Sequence, residues 1–387
     1  MLALAFASFF AFGVALVIVG ANQAGLAADL QLDLAESGML AAVLSLGIGA
    51  GVLVSGPLVD RAPRRRLFVA ASAAAVVALA AVDAGMGLRR ALACLGTLGF
   101  ALGFYETLLN PVVAERYREA AARPLTFVHA GATLGAVVGA PAIAWIAAQA
   151  HWEASFRTSA AMFVGLGLAG LALRFEDTRR AAPAPGPRRP FARIGLAIAP
   201  FAGVAACYVG VETAVTIFAT PYARDALDLG AERGVAGISA FWLGLLAGRL
   251  LFLAWRGPVD ARLLVAAGLA AALGLGGGVA AQLRALELVL FAVGLCLGLV
   301  FPVFVALAAL RVPDARGTAT GIVTGAGAAG GFVAPWLAGL LGDAWGVRAA
   351  FLSLAAWCVA LAVCAAFALR RREPAQGAEA VSLSRQS

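Results

Sequence analysis

Long apolar runs, broken only by short turns that carry arginine or proline, occupy most of this sequence. A bilayer core about 30 Å thick is crossed by roughly 20 helical residues, and the runs have about that length. The 387 residues are 62% hydrophobic and only 13% charged, which excludes a water-soluble globular domain. The sequence therefore predicts an all-α membrane protein with twelve transmembrane helices. The predicted helices 1 to 12 cover residues 2–24, 37–59, 67–86, 91–113, 125–148, 156–173, 195–221, 234–255, 263–280, 286–309, 319–341 and 347–369.

The arginines indicate how the chain is oriented in the membrane. All 29 basic residues are arginine; 21 lie in the turns after even-numbered helices or in the C-terminal tail, and seven lie in the odd-numbered turns. Basic residues near helix ends are retained on the cytoplasmic side. We therefore expect a multi-pass protein of a bacterial-type inner membrane with both termini in the cytoplasm. The arginines are dispersed between apolar runs, so we expect no nucleic-acid partner.

A basic, proline-rich segment divides the chain into two parts of similar length. The two parts contain related glycine patterns, GATLGAVVGAP at 131–141 and GAGAAGGFVAP at 325–335. A duplicated unit of six helices is the simplest explanation, and internal repeats of this kind are common in transporters. The predicted organisation is a first six-helix bundle in 1–173, a cytoplasmic linker in 174–194, a second six-helix bundle in 195–370 and a cytoplasmic tail in 371–387.

Three charged residues stand well inside the apolar runs: Glu106, Glu212 and Arg249. A charge near the bilayer centre costs several kcal/mol unless it faces a cavity or a partner. Asn110 follows Glu106 by one helical turn, and Tyr208 precedes Glu212 by one turn, so each glutamate shares a helix face with a polar neighbour. The two glutamates are candidates for proton coupling, because a carboxyl group in a dry cavity can exchange between its neutral and charged forms.

The segment after helix 2, GPLVDRAPRRR at 56–66, combines a glycine, an acid and a basic cluster. It resembles the loop signature of the major facilitator superfamily between helices 2 and 3. The resemblance implies a 6+6 fold whose central cavity is lined mainly by helices 1, 4, 7 and 10. It also implies a gate in which a carboxylate at a helix end pairs with arginines in one conformation. The predicted gating residues are Gly56, Asp60, Arg61, Arg65 and Arg249, although Arg249 can also be read as a structural residue that extends its head to the membrane surface.

Three shorter segments resemble the fucose:galactose:proton symporter family within that superfamily. ETLLNP at 106–111 is similar to the family's helix 4 motif, PLTFVHAGATLGAVVGAP at 124–141 to its helix 5, and FWLGLLAGR at 241–249 to its helix 8 pattern. In that family the helix 4 glutamate carries the proton and contacts the sugar. The resemblance implies the same role for Glu106.

Helix 1 departs from the family pattern. The family's aspartate would fall close to Gly20, where this chain offers only Asn22 and Gln23, so one of two expected carboxylates is missing. Sugar sites combine polar groups with an aromatic face, and the chain has such residues on predicted helices 1, 4, 7 and 8. The predicted substrate-binding residues are Asn22, Gln23, Tyr105, Asn110, Tyr208 and Trp242.

These observations predict a secondary active transporter that moves a sugar or similar small polar solute by alternating access. We expect a proton as the coupling ion, with sodium as the alternative. The alternative function is a proton-driven efflux antiporter for apolar or drug-like compounds, which the missing carboxylate in helix 1 favours. The sequence contains no nucleophile and base pair and no phosphate loop, so we do not expect an enzyme. We expect no cofactor and no metal site, a monomer, and the solute, the coupling ion and the lipid bilayer as partners.

Overall fold

The computed structural model describes residues 1–59, 61–118, 121–173, 175, 191–312 and 315–370. Every regular element within these ranges is helical. Of the predicted features, Asp60, most of the linker and the tail at 371–387 lie outside the described residues. Helix 7 begins at Phe191, about one helical turn before its predicted start.

Twelve membrane helices follow one another in the described chain, and the all-α fold predicted from the apolar runs is confirmed. Eleven of the described spans are long and apolar enough to cross a membrane. The remaining one, helix 3, has 17 residues and begins with three arginines. Helices 1 to 6 are Leu2–Ala21, Leu34–Val59, Arg64–Ala80, Leu88–Tyr117, Ala122–Gln149 and Trp152–Ala172; helices 7 to 12 are Phe191–Pro221, Ala231–Leu253, Ala261–Ala280, Leu286–Gly298 continued by Val300–Arg311, Arg316–Trp345 and Val347–Arg370.

Two details differ from the predicted helices. Helix 1 ends at Ala21, and the chain turns at Asn22 into a short helix, Gln23–Leu30, which the apolar run did not reveal. Helix 7 continues beyond Pro221 in one wider, π-helical turn, Tyr222–Ala226. Both features lie at the end of the bundle where helix 1 ends and helix 2 begins, which we call the far end. The opposite end, where helix 1 begins and helix 12 ends, is called the terminal end.

Glycines bring corresponding helix pairs of the two halves into backbone contact. A Cβ atom on Gly99 of helix 4 would collide with the carbonyl oxygen of Leu44 in helix 2. In the second half, a Cβ atom on Gly294 of helix 10 would collide with the carbonyl oxygen of Phe241 in helix 8. Without a hydrophobic driving force between helices in lipid, such close packing of small residues holds a bundle together. The two halves therefore use the same packing at equivalent helix pairs.

The two halves touch each other mainly through helix 2 against helix 11, helix 5 against helix 8 and helix 1 against helix 7. At the far end the contact is close, since a Cβ atom on Gly38 of helix 2 would collide with the carbonyl oxygen of Pro335 in helix 11. Nearer the terminal end, on the same faces of these helices, a Cβ atom on Gly56, Gly321 or Gly325 would meet no atom of a described residue within 4 Å. The halves are thus closed at the far end and diverge toward the terminal end.

Candidate functional site

A cluster of polar side chains lies between the two halves, with Arg249 of helix 8 at its centre. The Nη1 atom of Arg249 donates a 2.6 Å hydrogen bond to the hydroxyl of Thr133 on helix 5, which belongs to the first half. The Nη2 atom donates to the Tyr208 hydroxyl on helix 7 at 3.1 Å. The guanidinium also lies 5.9 Å from the ring centroid of Phe301 on helix 10. Arg249 therefore connects one helix of the first half with three helices of the second.

Glu212 belongs to the same cluster through Tyr208. The Tyr208 hydroxyl interacts with the Glu212 carboxylate, and Arg249 acts on that carboxylate electrostatically. No carboxylate of a described residue lies within salt-bridge distance of Arg249. Tyr208 therefore interacts with both Arg249 and Glu212, which form no direct salt bridge with each other.

A small enclosed cavity of about 20 Å³ lies beside Glu212, between helices 1 and 2 of the first half and helices 7 and 8 of the second. Its polar wall contains Glu212, Thr213, Ser45 and Trp242, and the rest of the wall is mainly aliphatic. The hydroxyls of Ser45 and Thr213 are 3.4 Å apart across the two halves. The indole Nε1 of Trp242 donates to the hydroxyl of Thr216 at 3.2 Å. Because both halves supply this wall, separating them opens the cavity.

Helix 4 contributes a second polar pair. Glu106 is only partly exposed, and its carboxylate has no hydrogen-bond or ion-pair partner in the described part of the chain. The side-chain oxygen of Asn110, one turn further along the helix, is buried and also has no partner there. Pro111 follows within the same helix. Two polar groups at membrane depth that lack partners are typical of a surface that meets a solute or an ion.

Three of the predicted substrate-binding residues make their observed side-chain contacts inside the first half. Tyr105 is fully buried inside the first half, where its hydroxyl is 2.7 Å from the hydroxyl of Ser72 and its ring stacks on Phe163. Asn22 donates to the hydroxyl of Ser155 in helix 6 at 2.8 Å. Gln23 lies at the same far end and donates to Ser37 at 3.5 Å. Each of these three residues has its observed partners within the first half.

The predicted gating residues are distributed over different places. Gly56 lies in the last turns of helix 2 on the face that is open between the halves, and Asp60 lies outside the described residues. Arg61 is exposed, and Arg65 donates to the backbone carbonyl of Leu171 at the end of helix 6. The head group of Arg249 lies in the central cluster instead of extending to the membrane surface.

Two residue pairs were not singled out by the sequence analysis. Arg64 at the start of helix 3 makes a two-pronged salt bridge with Glu115 in the last turn of helix 4, with nitrogen to oxygen distances of 2.7 and 2.9 Å. The motif at 56–66 contains Arg64, but nothing in the sequence indicates which arginine meets Glu115. The hydrogen bond between Arg249 and Thr133 also could not be predicted from the sequence, because the hydroxyl of a threonine in a membrane helix commonly bonds the backbone of its own helix.

Comparison with known proteins supports the fold described above. The profile of the Major Facilitator Superfamily matches the chain in two overlapping segments, residues 2–277 and 257–382. No curated protein sequence matches the chain significantly.

Among solved structures, the chain is similar to three transporters. The first is a bacterial homologue of the human lysosomal transporter Spinster in an inward-facing and occupied conformation, with a TM-score of 0.79, 13% identity, and 97% of this chain and 98% of that chain covered. The second is a transporter of the POT family in complex with a thioalcohol-conjugated peptide, with a TM-score of 0.77, 12% identity, and 96% of each chain covered. The third is the nucleoside transporter NupG, with a TM-score of 0.71, 16% identity, and 96% of this chain and 98% of that chain covered. At these identities the likeness concerns the fold alone.

Proposed function

The chain belongs to the major facilitator superfamily, and from that premise we propose that it is a proton-coupled secondary transporter of a small polar solute. The solute binds between the two halves and meets one side of the membrane at a time. The contact at the far end and the divergence toward the terminal end support this proposal, because rocking two rigid bundles about a central site exchanges the closed and the open end.

The arginine distribution supports an orientation for this conformation. With the basic turns and both termini in the cytoplasm, the terminal end is cytoplasmic and the conformation is open to the inside. In this scheme Gly56, Asp60, Arg61 and Arg65 belong to the gate that closes that side. Glycine allows a helix from the other half to approach closely, and an acid beside arginines provides a pair that can form and break.

The observation that carries the proposal is the unpartnered carboxyl group of Glu106 at membrane depth. An isolated carboxylate is costly there, so it is expected to bind a proton or a solute group whenever water is excluded. If the Glu106 carboxyl group is exposed first to one side of the membrane and then to the other, it can take up a proton on one side and release it on the other. Glu212 is the competing proton site, because it lies in the wall of the cavity between the halves and has Tyr208 as its polar neighbour.

A sugar or similar hydroxyl-bearing molecule is the solute class that the helix 4 motif supports. Asn110 offers an unpaired amide oxygen, and Tyr208 and Trp242 offer aromatic rings with polar atoms. Hydroxyl groups are donors and acceptors, so they can satisfy these groups together. The test is transport by the purified protein in liposomes: at least one labelled sugar or sugar acid should exchange between two pools and accumulate when the outside is more acidic. Exchange of none of the tested sugars would reject the sugar assignment.

The mainly aliphatic wall of the enclosed cavity favours efflux of apolar compounds as a second candidate function. Leu16, Val19, Leu44 and Ile217 belong to this wall. A dye-extrusion assay in the same liposomes separates the two candidates. Proton-driven dye movement without sugar exchange would select the efflux antiporter.

A further inference from the structure

Arg249 is a cation without a direct counterion. Its guanidinium offers five N–H donors, and its hydrogen bonds to described residues are with the hydroxyls of Thr133 and Tyr208. Its Nε atom is buried and has no hydrogen-bond partner among the described residues. A buried cation is stabilised by a nearby anion. Glu212 acts on Arg249 electrostatically without a direct salt bridge, so the guanidinium keeps donor capacity for a second anion.

The free part of the guanidinium matches one ligand chemistry particularly well. Arginine binds carboxylates in a two-pronged arrangement, with parallel N–H groups directed at two oxygens. The unpaired Nε lies on the edge of the group, and the neighbouring hydroxyl of Tyr208 can donate to the same anion. The Phe301 ring beside the guanidinium excludes water from one side of the site, which strengthens the electrostatic attraction.

We propose that Arg249 binds the carboxylate of the transported solute, so that the solute is a small organic acid, such as a sugar acid, and not a neutral sugar. This inference rests on the proposed transport function and deepens it. It assigns Arg249 to the binding site, whereas the sequence motif had suggested a gate.

Glu212 and Tyr208 explain how a carboxylate can enter a site that already contains an acid. When Glu212 is ionised, its charge balances Arg249 through the intervening Tyr208 hydroxyl. When Glu212 binds a proton, Arg249 is left to the solute. The titratable and charged groups that face Arg249 are Glu212 and Tyr208 on helix 7 and His129 on helix 5.

With His129 neutral, the net charge of the site is zero in both states. The empty site contains Arg249 and an ionised Glu212, and the loaded site contains Arg249, a protonated Glu212 and a monocarboxylate. A dianion such as phosphate would leave the loaded site with a net negative charge. For that reason the inference favours a single carboxylate over a phosphate group.

The competing role for Arg249 is a tether between the two halves through Thr133. Threonine and valine have nearly the same shape, so Thr133→Val removes the hydrogen bond across the halves and leaves the cation in place. Arg249→Gln removes the cation and keeps hydrogen-bonding capacity. Arg249→Lys keeps the charge and removes the planar, two-pronged geometry. Together the three variants distinguish the effect of the Arg249 charge from the effect of its hydrogen bond to Thr133.

The experiment measures the thermal stability of the purified full-length protein with matched pairs of acids and neutral analogues at constant ionic strength. Glucuronate is compared with glucose, galacturonate with galactose, and lactate with lactamide. At least one acid should raise the melting temperature of the wild type and of Thr133→Val, whereas its neutral analogue should not. The acid should have no effect on Arg249→Gln and a reduced effect on Arg249→Lys.

Three results would overturn the inference: equal stabilisation by an acid and its neutral analogue, acid stabilisation that persists in Arg249→Gln, or no stabilisation by any of the acids. If Arg249→Gln does not fold, the comparison of Arg249→Lys with Thr133→Val still tests the inference. Only a binding role predicts that stabilisation by the acid is reduced in Arg249→Lys and unchanged in Thr133→Val. Failure of the proposed transport function can be distinguished from failure of this inference. In that case acids would stabilise the protein through Arg249, yet liposomes would exchange neither the acids nor the neutral sugars.

Discussion

Asp343, in the last turn of helix 11, accepts a 2.9 Å hydrogen bond from the backbone N–H of Leu34, the first residue of helix 2. Its other carboxylate oxygen accepts a 2.9 Å bond from the next backbone N–H, that of Ala35. The first N–H groups of a helix have no partner within the helix and attract negative charge. The acid of one half therefore caps a helix of the other half and holds the far end closed.

Replacing Asp343 by asparagine should shift the protein toward the conformation that is open at the far end. The amide is neutral and has a single acceptor oxygen, so the cap weakens. In a cysteine-free background, a cysteine at Ala41, which lines the enclosed cavity, should react faster with a membrane-impermeant thiol reagent added on the far side. Asp83→Asn is the matched control, because Asp83 pairs with Arg90 within the first half at the same end. Unchanged labelling in Asp343→Asn would mean that the cap does not hold the closed state.

Glu106→Gln should abolish accumulation driven by a pH gradient and leave exchange of solute between two pools intact. Glutamine imitates the protonated glutamate in shape but carries no proton across the membrane. Gradient-driven uptake and exchange should be measured in parallel for Glu106→Gln and Glu212→Gln. If only the Glu212 variant loses accumulation, Glu212 is the coupling residue, and wild-type accumulation in Glu106→Gln removes Glu106 from the mechanism.

Asn110→Ala should weaken solute binding without abolishing coupling. Its buried side-chain oxygen has no partner in the described residues, so the amide is available to the solute. Loss of one hydrogen bond costs about 1 kcal/mol, or roughly a fivefold loss of affinity. The measurement is the solute concentration at half-maximal exchange, with Asn110→Asp as a variant that keeps the acceptor. An unchanged value in Asn110→Ala would place this residue outside the binding site.

Transport of a monocarboxylate should be electroneutral. One proton, carried by Glu212 or by Glu106 but not by both, crosses with one carboxylate on Arg249, so no net charge moves. Moving one elementary charge through 100 mV is worth about 2.3 kcal/mol, and an electrogenic cycle would respond strongly to such a potential. The uptake rate of the acid that stabilises the protein should therefore increase with the pH gradient. A potassium diffusion potential imposed across the liposome membrane should leave that rate unchanged. Strong acceleration by an inside-negative potential would contradict the charge balance.

Glu115→Ala should lower the thermal stability of the protein. The side chain of Arg64 is 5% exposed and that of Glu115 is 24% exposed, so the change leaves a buried cation without this partner. The expected cost is about 1–3 kcal/mol, seen as a lower melting temperature. Arg224→Ala is the control, because Arg224 and Asp225 are 41% and 42% exposed and exposed pairs contribute little. Equal melting temperatures for Glu115→Ala and the wild type would show that the pair is not stabilising.

The positions of the membrane helices and the division into two halves could be predicted from the sequence, because both depend on local composition. An apolar run of about 20 residues has to cross the bilayer, and a proline-rich basic segment cannot. The same reasoning identified Glu106 and Glu212, since a charge inside an apolar run is conspicuous without any knowledge of its neighbours. It also placed Trp242 and Tyr208 among the candidates: Trp242 lines the cavity between the halves, and Tyr208 accepts a hydrogen bond from Arg249.

Only the tertiary structure decided which way each side chain points. Tyr105 is adjacent to Glu106, yet the neighbouring residue points about 100° further round the helix, and Tyr105 packs inside the first half against Ser72. Arg249 reaches Thr133 because glycines bring helices 8 and 10 together and set the rotation of helix 8. Rotation and register depend on contacts between residues that are distant in the sequence, and run length and composition carry no information about them.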